Sequence, residues 1–129
     1  MKASTREWIA KAEADFVSAG REYRARKHPN YDAACFFAQQ YTEKYLKAHL
    51  TEVGIAFPRT HDLEVLLDLS LSAKPLWEAY RPTVVDLTAF AVAFRYPGDS
   101  ATRNMACKAV KDAGRVRDQI RRDMGMHSS

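Results

Sequence analysis

The sequence has little of what staples or punctuates a small fold. Its 129 residues include two cysteines, five glycines and five prolines. Cys35 and Cys107 sit inside helical patterns, where lone thiols act as small packing residues, so no disulfide framework is expected. The four histidines are scattered without metal-ligand spacing, which excludes a zinc-type motif and leaves no metal or cofactor expected. There is no glycine-rich phosphate loop and no Gly-Ser nucleotidyltransferase motif with its carboxylate pair. No local Ser-His-Asp pattern is visible either, although such triads need not be local in sequence. No apolar run is long enough to span a bilayer, and the first eighteen residues lack the apolar stretch of a signal peptide. The expected setting is therefore the cytoplasm, away from membranes. The only β-like run, Val84-Val85, is too short for a strand.

What is present is helical. The apolar fraction is 47%, the charged fraction 28% and the net charge +4, values of an ordinary globular protein that tolerates an anionic partner without requiring one. A single domain over residues 1–129 is expected, large enough to bury a core unaided, with a frayed end from about residue 125. Trp8, Ala12, Phe16, Ala19 and Tyr23 recur at 3- and 4-residue spacings, and Ser4 to Glu7 fits a capping box, so a first helix starts at Ser4 or Thr5. Asp15 is either an exposed acid at the edge of that stripe or a partner for a cation of the next helix. His28-Pro29-Asn30 breaks the pattern.

A second helix is expected over residues 31–53 with Gly54 as its C-terminal cap, forming an antiparallel hairpin with the first. Its first half is apolar on nearly every side, which marks a helix surrounded by others. Later, Gln40, Lys44 and Lys47 share one face, with Glu43 beside them. A third, short, well-buried helix follows Thr60 or His61 and carries Leu63, Val65, Leu66, Leu67, Leu69 and Leu71. A turn or two around Trp77 precedes a helix capped by Thr83, with Val84, Leu87, Ala91 and Phe94 inward. Tyr96-Pro97-Gly98-Asp99 is a turn. The last helix, capped by Asp99 or Ser100, buries Met105, Ala109, Ala113, Val116 and Ile120. Its other faces, including Asp112 and Arg117, read as solvated surface, and Gly114 marks a possible close helix crossing. The fold class is all-α: an up-and-down bundle of about five helices.

Several blocks, in order, carry a resemblance: Trp8 with Ala12 and Asp15, the Tyr31-x-x-Ala34-Cys35-Phe36 start of the second helix, and AQQ-x-x-EK-x-LKA over residues 38–48. RTHDL over residues 59–63 and RYP over residues 95–97 complete them. The chain resembles the HEPN family of small helical bundles. That resemblance implies a HEPN-like bundle, a homodimer, and a neighbouring or fused minimal nucleotidyltransferase of the toxin–antitoxin type. Many members are metal-independent ribonucleases with an R-x4-6-H signature, in which Arg stabilises phosphate charge and His moves a proton. No histidine follows Arg95 or Arg103 at that distance. The matches from Arg21 to His28, and from Arg121 or Arg122 to His127, are of the kind chance supplies. The reading that follows is a non-catalytic, nucleotide-binding accessory protein. A divergent ribonuclease using Arg95 with His61, and a pure dimerisation or scaffold module, are the alternatives.

The candidate nucleotide site comprises Gln40, Glu43, Lys44 and Lys47 on the second helix, Arg59, His61 and Asp62 beyond it, and Arg95 and Tyr96. Lysine and arginine would meet phosphate, glutamine a base edge, and tyrosine a base face. Each also has a plain structural explanation. Glu43 and Lys47 form an i, i+4 pair, Asp62 caps a helix, His61 can bond a carbonyl, and Arg95 can meet a helix C-terminus.

Overall fold

In the computed structural model, residues 1–126 are described. Five α-helices follow in order: α1 (Ala3–Arg24), α2 (Tyr31–Val53), α3 (Leu63–Ser70), α4 (Arg81–Thr88) and α5 (Arg103–Asp123). Short 3₁₀ stretches, Pro75–Tyr80 and Ala89–Ala91, flank α4. Among the described residues there is no strand, so the all-α expectation holds.

α2 is the central element, packed chiefly on α1 and α5 and also on α3 and α4. Thirteen of its 23 residues are buried, ten of them between Gln39 and Leu50, so the second half is the part that other helices surround, whereas Phe36 in the apolar first half is exposed. Its limits are those the sequence signals. The Asn30 side chain accepts the Ala33 N–H at 3.0 Å. Gly54, at φ 77°, adopts the left-handed conformation and returns its N–H to Leu50 and Thr51.

α1 runs antiparallel to α2, since Lys2 meets Glu52 at one end of the pair and Tyr23 meets Tyr31 at the other. α5 runs parallel to α2. Along the two helices, Asp32 accepts the Ala101 N–H, Tyr41 donates to the Val110 carbonyl, and Arg121 donates to the Tyr45 hydroxyl. The antiparallel α3 and α4 fill the excursion between them. Arg81 clamps this pair from the side by bonding Glu64 at 3.0 Å and Asp68 at 2.5 Å.

Several local expectations are corrected. α1 begins at Ala3, and no side chain caps it, so the Ser4–Glu7 box does not form. The acid of α2 takes over: Glu52 accepts the Lys2 N–H at 3.0 Å and the Thr5 hydroxyl at 2.9 Å. Thr83 lies inside α4, which starts at Arg81 with Pro82 in its first turn, where a missing N–H costs nothing. α4 also ends early, at Thr88, and Phe94 sits beyond it at φ 63°. Thr102, not Asp99 or Ser100, caps α5 by accepting the Met105 N–H. Gly114 marks no crossing, since a Cβ there would meet open space. Gly125 and Met126 do not belong to a frayed end. They close α5 through bonds to the carbonyls of Arg122 and Arg121, and His127 lies outside the described residues.

The largest correction concerns α5. Asp112 and Arg117, read as solvated, are buried. The Arg117 guanidinium lies 3.9 Å from the Phe16 ring centroid and makes two bonds to Glu13, at 2.8 and 2.6 Å. Tyr45 donates to the same carboxylate. Burial alone would raise the Glu13 pKa, but Arg117, Tyr45 and Arg121 hold it below the usual carboxylate value.

Among the described residues, one buried polar side chain has no hydrogen-bond partner. His49 is 1% exposed, packs against Trp77 at 4.5 Å between centroids with the rings tilted by 59°, and neither ring nitrogen is hydrogen-bonded. Burial, aided by Lys74 and opposed by Asp123, pulls its pKa from 6.5 down to about 4. Between those values the unfolded chain binds the proton more readily than the folded one, so stability rises with pH. The contribution is complete above pH 6.5 and is lost as pH falls towards 4. Urea unfolding at pH 7 and pH 5 should differ by about 2 kcal/mol on this account. His49→Phe should flatten the slope, and an unchanged slope in that variant would remove His49 as its cause.

Candidate functional site

Halfway along α2, Gln39, Glu43 and Lys47 stack at i, i+4 and i+8 on the face that meets the loop before α3. The side chains of Glu43 and Lys47 are only 5% and 10% exposed. Glu43 Oε2 accepts from Lys47 Nζ at 3.0 Å. Its Oε1 lies 2.8 Å from His61 Nδ1 and accepts from Gln39 Nε2 at 3.2 Å. The second Gln39 amide proton goes to the His61 carbonyl at 3.0 Å, and Gln39 Oε1 accepts from Gln40 at 2.6 Å. Beyond Glu43, the Lys47 ammonium faces two rings: the Trp8 centroid at 5.5 Å and the Phe57 centroid at 6.0 Å. Those rings pack edge to face at 6.3 Å.

This arrangement removes two charges from water and then compensates both. Glu43 is triply contacted, and Lys47 has a carboxylate on one side and aromatic faces on another, a geometry that stabilises a desolvated ammonium. His61 is different. Its side chain is 69% exposed although its Nδ1 is held by a buried acid. A carboxylate only accepts, so Nδ1 carries a proton and Nε2 is turned outward, an acceptor in the neutral ring and a donor in the protonated one. A ring oriented in this way can take a proton from, or bond to, a ligand in the solvent.

The remaining candidate residues divide. Lys44 turns to α1 and pairs with Asp15, so Asp15 is the partner of a cation from the next helix and Lys44 belongs to another face. Asp62 caps α3 by accepting the Glu64 N–H at 3.0 Å. Thr60 accepts the Asp62 N–H in turn. Arg59 is exposed and has no ion pair with a described residue. Arg95, also exposed, donates to the Ala91 carbonyl at 3.2 Å, the helix-end contact anticipated for it. Tyr96 is 75% exposed. Gln39, Trp8 and Phe57 were missing from the sequence-derived site. Gln39 was findable from its i, i+4, i+8 register with Glu43 and Lys47, whereas nothing local signals Phe57. No group of three or more metal-ligating side chains forms among the described residues.

The HEPN domain family matches residues 5–123. The chain belongs to that family. No curated protein matches it, and no solved structure does. The blocks that carry the resemblance now acquire physical roles in this HEPN domain. The AQQ-x-x-EK-x-LKA block supplies Gln39, Glu43 and Lys47 to the buried network. RTHDL supplies the oriented His61 and the Asp62 cap. The two blocks meet through the contacts of Glu43 and Gln39 with His61.

The network makes a sharp energetic contrast. Glu43→Ala leaves the Lys47 charge buried without its carboxylate and should cost about 3–5 kcal/mol. Lys44→Ala, which breaks a more accessible pair, should cost about 1 kcal/mol. Chemical denaturation of the two variants at pH 7 tests the ranking. A Glu43→Ala protein as stable as Lys44→Ala would mean that Lys47 finds water or another acid.

Proposed function

We propose that this HEPN-domain protein binds a nucleotide, free or carried by a partner, without turning it over, and that it works beside a minimal nucleotidyltransferase. In this reading it is a cytoplasmic homodimer, and any transfer chemistry belongs to the partner. The observation that supports it most is the loop between α2 and α3. Arg59 and His61 are both exposed there, Arg59 makes no ion pair with a described acid, and Glu43 holds the His61 ring in one orientation. A permanent cation and a fixed imidazole two residues apart suit the oxygens of a phosphate. Lys44 and Lys47, the other cations first considered for this role, already have carboxylate partners.

A second reading has its own observation. An exposed imidazole oriented through Nδ1 by a buried carboxylate is suited to general acid–base work, so a divergent metal-independent ribonuclease with His61 and Arg95 is the alternative.

A thermal-shift panel of nucleoside mono-, di- and triphosphates tests the first reading. At about a hundred times its dissociation constant a ligand should add about 2.7 kcal/mol, a shift of several degrees in a domain of this size. Arg59→Ala and His61→Ala should each reduce the shift, and Lys44→Ala should retain it in full. If no nucleotide shifts the melting temperature, the reading fails. Incubation with RNA tests the second: cleavage lost in both His61→Ala and Arg95→Ala would establish the ribonuclease and overturn the non-catalytic proposal.

A further inference from the structure

At the opposite end of the α1–α2 hairpin from Glu52 lies an open cavity of about 540 Å³. Tyr23, Arg24, Arg26, Pro29, Tyr31 and Arg103 line it, and no carboxylate does. Three chain segments contribute: the end of α1, the turn into α2, and the first residue of α5. The turn is pinned by a bond from the Asn30 N–H to the Glu22 carbonyl at 3.3 Å.

Most other arginines of the chain already have partners. Arg81, Arg115 and Arg117 are bound to carboxylates, Arg121 also donates to Tyr45, Arg122 bonds Gln119, and Arg95 bonds a helix carbonyl. The three in this cradle make no ion pair with any described acid. Asp32, the acid beside the turn, is occupied in accepting the Ala101 N–H at 2.6 Å. Arg24 is also positioned: it folds back over Gly20, where a Cβ would come within 2.5 Å of a guanidinium nitrogen. Tyr23 and Tyr31 stand 6.4 Å apart between centroids at an interplanar angle of 51°.

Unneutralised arginines converging on one cavity raise the local potential and favour an anion. Guanidinium forks match phosphate oxygens, and a tyrosine face in the same wall accepts a planar ring. A hydrogen bond from Tyr23, with Lys111 and Arg103 nearby, holds Cys107 below the usual thiol pKa. Buried Cys35 is instead pushed up to about 11 by desolvation and Asp32.

We propose that this cradle is a ligand site separate from the Arg59–His61 loop, taking a phosphate that carries a nucleobase, with the phosphate on Arg26 and Arg103 and the base against Tyr31. The ligand is a free nucleotide or one unit of a single strand.

Fluorescence anisotropy with a labelled single-stranded oligoribonucleotide, and competition by AMP and ATP, distinguish those two sources. Competition by a mononucleotide points to the free ligand, and binding of the strand alone to the strand. The double variant Arg26→Glu/Arg103→Glu, which changes only exposed side chains, should weaken binding of whichever probe is held by about tenfold or more. Tyr31→Phe should retain affinity that Tyr31→Ala loses. Saturating ligand should also slow alkylation of Cys107 by iodoacetamide. Arg59→Ala should leave all of this unchanged. The proposal is overturned if neither probe binds, if the double arginine variant binds as the unaltered protein does, or if Arg59→Ala alone abolishes binding. The last result would leave the loop site standing and remove only the cradle.

Discussion

A helix stretch buried on nearly every side must find partners for the polar groups it carries, and the second half of α2 sets that demand for the whole molecule. Between Ala34 and Leu50 it buries Gln39, Thr42, Glu43, Lys47 and His49 along with its apolar residues. Thr42 satisfies itself on the Ala38 carbonyl one turn back. The others cannot, so the surrounding chain is shaped to meet them. The loop after Gly54 runs back along α2 and brings the His61 ring and carbonyl to Glu43 and Gln39. The same return places Phe57 beside Trp8, giving Lys47 its aromatic wall. His49 alone is left with packing and no bond, so its neutral form is strongly favoured.

The second fixed relation is that between α1 and α5. Arg117 spans it, lying on Phe16 and bonding Glu13, and the Tyr45 hydroxyl joins the group from α2. Replacing one member of such a set leaves the buried Arg117 charge or its partners uncompensated. With the three long helices locked together by these contacts, α3 and α4 pack against α2 as a smaller hairpin held by Arg81. Arg24, Arg26 and Arg103 at the Tyr23–Tyr31 end of the α1–α2 pair, and Arg59 in the returning loop, make no ion pair with a described acid.

Some of this was legible in the residues. The α2 boundaries follow from Asn30 and Gly54, because a capping side chain and a left-handed glycine act within a few residues of the chain. The pairing of Asp15 was one of two open readings, and the structure selected it. The apolar stripe of α5 was legible from Ala109 to Ile120, although Met105 at its start is exposed. The site was legible in composition but not in geometry. The face shared by Gln40, Lys44 and Lys47 on a helical wheel is split by what each side chain meets. Lys44 belongs to the α1 contact, Lys47 belongs to the core, and Gln39, passed over, joins them through Glu43.

The sequence by itself determined the all-α class, the central place of α2 and the residue types available for phosphate chemistry, because periodicity, caps and turn residues act over a few positions. Tertiary structure alone decided which charges are spent. Ser4 and Glu7 spell a local cap, yet Glu52, 47 residues away from Thr5, supplies the bonds at that end. Arg117 stands among charged neighbours in sequence, yet a ring from α1 covers it. Whether a cation is buried, paired or open to a ligand depends on what the opposing helix places within a few ångströms of it, since desolvation and Coulomb attraction both act through space and not along the chain.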